Sequence, residues 1–289
     1  WTPADAYLQA RDALKAVGLK VYAWTVLTHN SHLGAAHPDL VVRNAFGDPY
    51  PYALCPAHED VIEYCERLVQ EILTVGEPDG LILEACGPMG FGHQSVHEKT
   101  SGADWTAVDA DLLSLCFCTV CATRYPEPTR ARIRAAIDRT LPEHNPAAQH
   151  AAAPSTGTQA TTSPAGAVDA SATGRSTAPT SVEEALGPLA DEVRAIRVGL
   201  STSLRRRLIT VARRIAPNVP ITLHANPDPW AAAAFAALPS GEPEADVLVA
   251  SCWGDPSTDA TRLARLTELS TPGQRVGAYV LAPVSYAHL

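Results

Sequence analysis

Apolar and polar positions along the chain alternate in blocks whose period switches between that of a helix and that of a strand. Ala6, Leu8, Ala10, Ala13, Leu14 and Val17 recur near helical spacing, and Gly18 follows as a stop, which predicts a helix over 4–17. Residues 19–27 are rich in β-branched and aromatic side chains and predict a strand. A stretch with Gly34, Pro38, Asn44, Gly47, Pro49 and Pro51 reads as a long loop over 28–54. Ile62, Cys65, Leu68, Val69 and Ile72 then mark a helix that Pro56 opens and that runs to about 75. The run 79–87 is almost continuously apolar, as expected of a strand buried on both faces of a parallel sheet.

The alternation continues. Helices are predicted near 107–115, 129–141, 189–215, 230–238 and 261–269, and strands at 221–224, 247–252 and 276–281. Residues 146–180 break the pattern. They are almost only Ala, Ser, Thr, Pro and Gly and cannot bury enough apolar surface to offset ordering entropy, so they predict a disordered insert. The same alternation resumes afterwards, so 1–145 and 181–289 read as two parts of one domain.

Strand following helix following strand is the signature of a parallel α/β sheet. A (β/α)8 TIM barrel takes about 250 residues. With the insert discounted, the chain reads as such a barrel, truncated at one or both ends, with 81–84 as about its fourth strand. A doubly wound open sheet is the rival, weakened because no Gly-x-Gly-x-x-Gly turn follows a strand.

Composition narrows the function. The 289 residues are 46% hydrophobic, enough for a sizeable core, and carry a net charge of -9, which argues against a nucleic-acid partner. No run of about 18 apolar residues exists, so no membrane span is expected. The first residue is Trp1 rather than Met, which predicts a start that is missing or processed. Seven cysteines, three of them crowded together, suit a metal site and a reducing, cytoplasmic compartment better than a secreted disulfide scaffold.

In such barrels the chemistry sits at the C-terminal ends of the strands. Those ends present Thr28, His29 and Asn30; Glu84; His224, Asn226 and Asp228; Trp253 and Asp255; and Tyr286 beyond the last strand. Trp24, Trp230 and Trp253 offer flat faces for sugar rings. Glu84 closes an apolar strand, where a carboxylate needs either a partner or a task. The task would be glycosidic hydrolysis, with Asp255, or failing that Asp228, as the second carboxyl group. A separation of about 5–5.5 Å would imply retention and about 6.5–9.5 Å inversion. His29, Asn30, His93, His97, His224, Asn226 and Trp253 would contact substrate. A metal-dependent hydrolase using His93, His97 and Glu98 is an alternative, and so is a non-catalytic saccharide-binding barrel. Cys116, Cys118 and Cys121 can grip one structural Zn²⁺. Cys86 is the preferred fourth ligand, with Cys55 or a histidine as alternatives. No organic cofactor is expected.

Four segments together, Trp24–Asn30, Ala53–Pro56, Asp79–Glu84 and Leu115–Cys121, resemble bacterial glycosyl-hydrolase-like TIM-barrel proteins, in which an Asp-Gly-(apolar)-Glu strand and a Cys-Phe-Cys-x-x-Cys segment recur in this order. The cysteine spacing is also similar to the structural zinc site of the zinc-carrying bacterial β-galactosidases. The resemblance covers about residues 19–125. It implies a barrel acting on carbohydrate, with Glu84 as a catalytic carboxylate and Cys116, Cys118 and Cys121 as metal ligands.

Overall fold

The computed structural model describes residues 5–91, 105–140, 178–238 and 245–280. The proposed insert therefore lies outside the described residues, apart from its last three positions.

The chain opens with α1 (Ala6–Ala16) and β1 (Tyr22–Val26), as the periodicity predicts. Residues 28–54, expected as a loop, instead hold a short helix α2 (Ser31–Ala36) and an antiparallel hairpin of β2 (Val41–Arg43) and β3 (Pro49–Leu54). Asn44 makes the hairpin turn, because its side-chain oxygen accepts the backbone N–H groups of Phe46, Gly47 and Asp48 at 2.9–3.0 Å. Two of the three prolines that argue for a loop, Pro49 and Pro51, sit at the start and middle of β3, in a two-stranded sheet made only of edges.

Next come α3 (Glu59–Glu71), a π-helical turn over Ile72–Gly76, and β4 (Gly80–Glu84). Then follow α4 (Ala107–Leu113), α5 (Thr119–Ala122), α6 (Thr129–Asp138), α7 (Val182–Leu186) and the long α8 (Ala190–Ile215). The last elements are β5 (Ile221–Asn226), β6 (Ala236–Ala237), β7 (Val247–Ser251), α9 (Pro256–Leu269) and β8 (Arg275–Tyr279). The helix expected near 230–238 is absent. Alanines fit either state, and here the segment swings back so that Ala236 and Ala237 pair with Ala225 and Asn226 of β5.

The main sheet runs β1-β4-β5-β7-β8 and every pairing in it is parallel. The spatial order follows the sequence order, without the reversal that defines a doubly wound sheet. Among the described residues β1 and β8 are its two edges, so the strands form an arc rather than a closed ring.

One face of the arc is packed. Ala23, Leu81, Leu83, Ile221, Leu223, Leu248 and Ala250 all bury against α3, α8 and α9. Trp24, Ile82, Glu84, Thr222 and Val249, of opposite parity, face the other side and are half-buried or exposed, while His224 on that side is buried. That side is concave. In a flat five-stranded sheet the edges would stand about 19 Å apart. Yet the Trp24 ring on β1 and the Tyr279 ring on β8 meet edge to face with centroids 5.4 Å apart.

A second core lies at the C-terminal end of the strands. It joins Val42 and Tyr50 of the hairpin, Leu112 and Leu115, Ile133, Leu186 and Val193. The Tyr50 hydroxyl donates to the Leu113 carbonyl at 3.0 Å, fastening hairpin to helix. Among the described residues no helix is long and apolar enough to cross a membrane.

The packed face should carry the stability. Leu83 is fully buried in the first core, so Leu83→Ala should cost about 2–5 kcal/mol in denaturant unfolding. Ile82→Ala, on the half-open concave face, should cost clearly less.

Candidate active site and metal centre

Glu84 ends β4 and stands beside His224 of β5, one residue beyond the Leu83–Leu223 pair. The His224 Nδ1 lies 3.6 Å from Glu84 Oε2. The same carboxylate oxygen accepts a short hydrogen bond from the Trp24 indole N–H. Burial pushes the Glu84 carboxyl up, and the indole N–H pulls partly against it. Burial lowers His224 to about 4, so the imidazole is neutral near neutral pH.

Aromatic rings close around this pair. His224 stacks flat on Phe235, with centroids 4.4 Å apart and planes within 1°. Trp24 meets His224 edge to face at 5.3 Å. Trp253 packs edge-on against Phe235 at 5.8 Å and Tyr279 at 5.5 Å. Trp24 is 47% and Trp253 52% exposed, so both still offer open surface.

The turn after Glu84 is held firmly. Ala85 takes a left-handed φ of 52°, uncommon for a residue with a Cβ. Its N–H donates to the Ala234 carbonyl at 2.8 Å, and the Thr28 hydroxyl lies 2.8 Å from the carbonyls of both Ala85 and Gly87. Thr28 thus ties the end of β1 to the turn that aims Glu84.

Other expected site residues have structural work. The Asp255 carboxylate caps α9, accepting the backbone N–H groups of Ser257 and Thr258 at 3.0 Å each. Asn30 caps α2 through Leu33 N–H and donates to the Tyr64 hydroxyl at 3.0 Å. Trp230, expected to offer a sugar face, is buried in the second core and its indole N–H donates to Glu183 at 2.7 Å. His29 sits half-buried against Tyr52, and burial lowers its pKa. His93, His97, Glu98 and Tyr286 lie outside the described residues.

Asp228 is exposed. One oxygen accepts the Trp230 N–H at 2.9 Å. With Asn226 it borders a cleft of about 470 Å³ shared with Ser257 and Arg262 of α9. Asp111 lies near enough to feel it: burial first, then the Asp228 charge, pushes Asp111 up to about 6. Asp111, Phe235 and Tyr279 are not among the site residues expected from the sequence. For Tyr279 the signal was present, since it sits on alternate positions with Gly277 and Arg275 in β8.

Four buried cysteines form the second centre: Cys55, Cys116, Cys118 and Cys121, with ligand atoms all within 4.8 Å of one another. Cys55, weighed as an alternative, occupies the place for which Cys86 was preferred. Cys86 belongs to the other core, close enough to Cys65 to push that thiol's pKa up, after the larger effect of burial. Cys55 stands 3.5 Å from Cys121, 3.7 Å from Cys116 and 3.8 Å from Cys118, sulfur to sulfur. A tetrahedron with metal–sulfur bonds of about 2.3 Å has sulfur–sulfur edges of about 3.8 Å. Backbone N–H groups of Cys118 and Cys121 point at the sulfurs of Cys116 and Cys118, at 3.4 and 3.5 Å. Hydrogen bonds from Cys116, Cys121 and Cys55 hold the Cys118 thiol far below the ordinary range, while Cys55 and Cys121 are driven up. Spacing, burial and thiolate stabilisation all fit a soft divalent ion.

No family model matches the chain, and no curated protein matches it by sequence. Among solved structures, alpha-L-fucosidase isoenzyme 2 from Paenibacillus thiaminolyticus is similar at a TM-score of 0.39 and 13% identity, over 96% of this chain and 36% of that one. The chain thus spans little more than a third of that protein's length, and so loose a likeness carries no functional argument.

The pH dependence of stability follows from His224. Its folded pKa, about 4, lies below the ordinary 6.5, so between those values the unfolded chain binds more protons. Its contribution is therefore complete above about pH 6.5 and is lost as pH falls toward 4. In paired urea melts, the stability of wild type relative to His224→Phe should fall between pH 7 and pH 4.5. A constant difference would refute the buried neutral imidazole.

Proposed function

We propose that the protein is a glycoside hydrolase acting through Glu84, and that its arc of strands belongs to a (β/α)8 barrel. The observation that carries this reading is the Glu84 carboxyl itself. It stands at the C-terminal end of a parallel strand, its acidity weakened by burial, on a concave face with two open tryptophan surfaces. A weakened carboxylic acid suits general acid catalysis, and tryptophan faces suit sugar rings.

In this reading Glu84 gives its proton to the glycosidic oxygen, which keeps the electron pair of the breaking C–O bond. Asp228 serves as the partner carboxylate at the anomeric carbon, and water supplies the new hydroxyl. Asp228 is preferred to Asp255 because both Asp255 contacts serve the helix cap. Asn226 and Trp253 would shape the sugar site.

Screening with chromogenic glycosides should find turnover, and Glu84→Gln should lower it by at least about 10²-fold with the fold intact by circular dichroism. Asp228→Asn should fall by a similar factor. Asp255→Ala should leave turnover near wild type and cost about 0.5–2 kcal/mol of stability. Saccharide binding without turnover in the wild type would favour a binding protein instead.

We also propose that Cys55, Cys116, Cys118 and Cys121 hold one structural Zn²⁺. A closed four-thiolate site keeps no open position, so its effect is on folding rather than on the reaction. Metal analysis should give about one zinc per chain, lost in Cys55→Ala and kept in Cys86→Ala. Chelation should lower the melting temperature, and activity should disappear only as the protein unfolds.

A further inference from the structure

His224 carries an unexplained polar atom. The residue is 3% exposed, and its Nδ1 is buried without a hydrogen-bond partner. Leaving such an atom unpaired costs about 1–3 kcal/mol. Phe235 covers one face of the ring and Trp24 meets its edge, so the imidazole cannot swing to water without breaking both contacts. The polar group Nδ1 faces is Glu84 Oε2, at 3.6 Å.

With its proton on Nδ1 the neutral imidazole would donate to an ionised carboxylate and lower the Glu84 pKa, whereas with its proton on Nε2 it would face that carboxylate lone pair to lone pair across the gap. One proton on the carboxyl group removes the conflict. Its O–H can then donate to Nδ1 after a closure of well under 1 Å, within ordinary hydrogen-bond geometry. Resting on the hydrolase reading above, we infer that His224 is a positioning residue, which accepts the Glu84 O–H at Nδ1 and keeps the acid loaded and aimed. The imidazole stays neutral throughout, while the proton passes from Glu84 to the leaving oxygen.

The surroundings agree. From β1 the neighbour is Trp24, which donates to Glu84, and from β8 it is the Tyr279 phenol, whose ring centroid is 5.7 Å from that of His224. Phe235 and Trp253 are uncharged. Among the described residues no Lys, Arg, Asp or second Glu is ion-paired or hydrogen-bonded to either member of the pair, so no third charge accounts for their protonation. Burial acts in the same sense, raising Glu84 and lowering His224.

The test is the titration of the Glu84 carboxyl carbon by NMR in the substrate-free protein. His224→Phe keeps the flat ring against Phe235 and removes the acceptor. If His224 holds the proton, Glu84 should titrate about one pH unit lower in His224→Phe, and His224→Gln, whose amide oxygen can accept, should move it back. If burial alone sets the carboxyl, His224→Phe leaves the titration unchanged or raises it, and the inference falls. Should His224→Phe fail to fold, His224→Gln against wild type decides: loss of the elevation there overturns the inference. The measurement needs no turnover, so it stands apart from the hydrolase assignment. Where turnover is found, the alkaline limb of its pH profile should shift to lower pH in His224→Phe by the same amount.

Discussion

The candidate site depends on the curvature of one parallel sheet. Five strands laid flat would leave Trp24 and Tyr279 too far apart to touch. Instead the right-handed twist carries the last strand round until the two rings meet. Both rings pack against His224, and burial shifts the ionisation of His224 and Glu84 alike. Each aromatic pair contributes about 0.5–1.5 kcal/mol beyond its buried area. The contacts among Trp24, His224, Phe235, Trp253 and Tyr279 therefore also stabilise the curvature that assembles them.

Two cores divide the work. The first packs the convex face under α3, α8 and α9 and fixes strand register. The second stands on the C-terminal ends of the strands and collects the hairpin, four short helices and the four-cysteine group. Cys116, Cys118 and Cys121 come from one turn, whereas Cys55 follows the hairpin directly, so the cluster joins two distant stretches of chain. The backbone repeats that junction, since the Phe117 N–H donates to the Arg43 carbonyl at 2.6 Å. Thr28 binds the turn after Glu84, and its carbonyl accepts the Leu54 N–H at the end of β3 at 2.8 Å, so it connects the hairpin with the site.

The strand–helix alternation was legible because short apolar, β-branched runs such as Leu81–Leu83 and Val247–Ala250 stand between stretches of helical period. The barrel rule then located Glu84 from its place at a strand end. What stayed hidden is physically consistent. The hairpin is short, proline-bearing and polar at its turn, so its signal resembles that of a loop. Ala231–Ala237 has no side-chain pattern able to choose helix over strand, and its pairing with β5 is a tertiary decision. Asp255 exposes the ambiguity of Gly-Asp-Pro, which marks a helix cap as readily as a catalytic acid. The fourth thiol could not be chosen by spacing along the chain, because the hairpin's return path brings Cys55 in.

A buried glutamate has two ordinary explanations, and its partners distinguish them. A structural carboxylate in a protein interior is held by a cation, usually Arg, because an uncompensated charge there is costly. Arg213 and Asp246 show such a pairing, though part-exposed, at the foot of β5 and β7, joined at 2.7 Å, with Asp246 also accepting the Ile221 N–H. Glu84 has an indole N–H and an imidazole that burial keeps neutral. Neither brings positive charge. Burial therefore weakens the Glu84 acid, where pairing with a cation would strengthen it. In the hydrolase reading proposed above, a weakened acid beside two exposed tryptophan faces is the arrangement that would give a proton to a bound sugar.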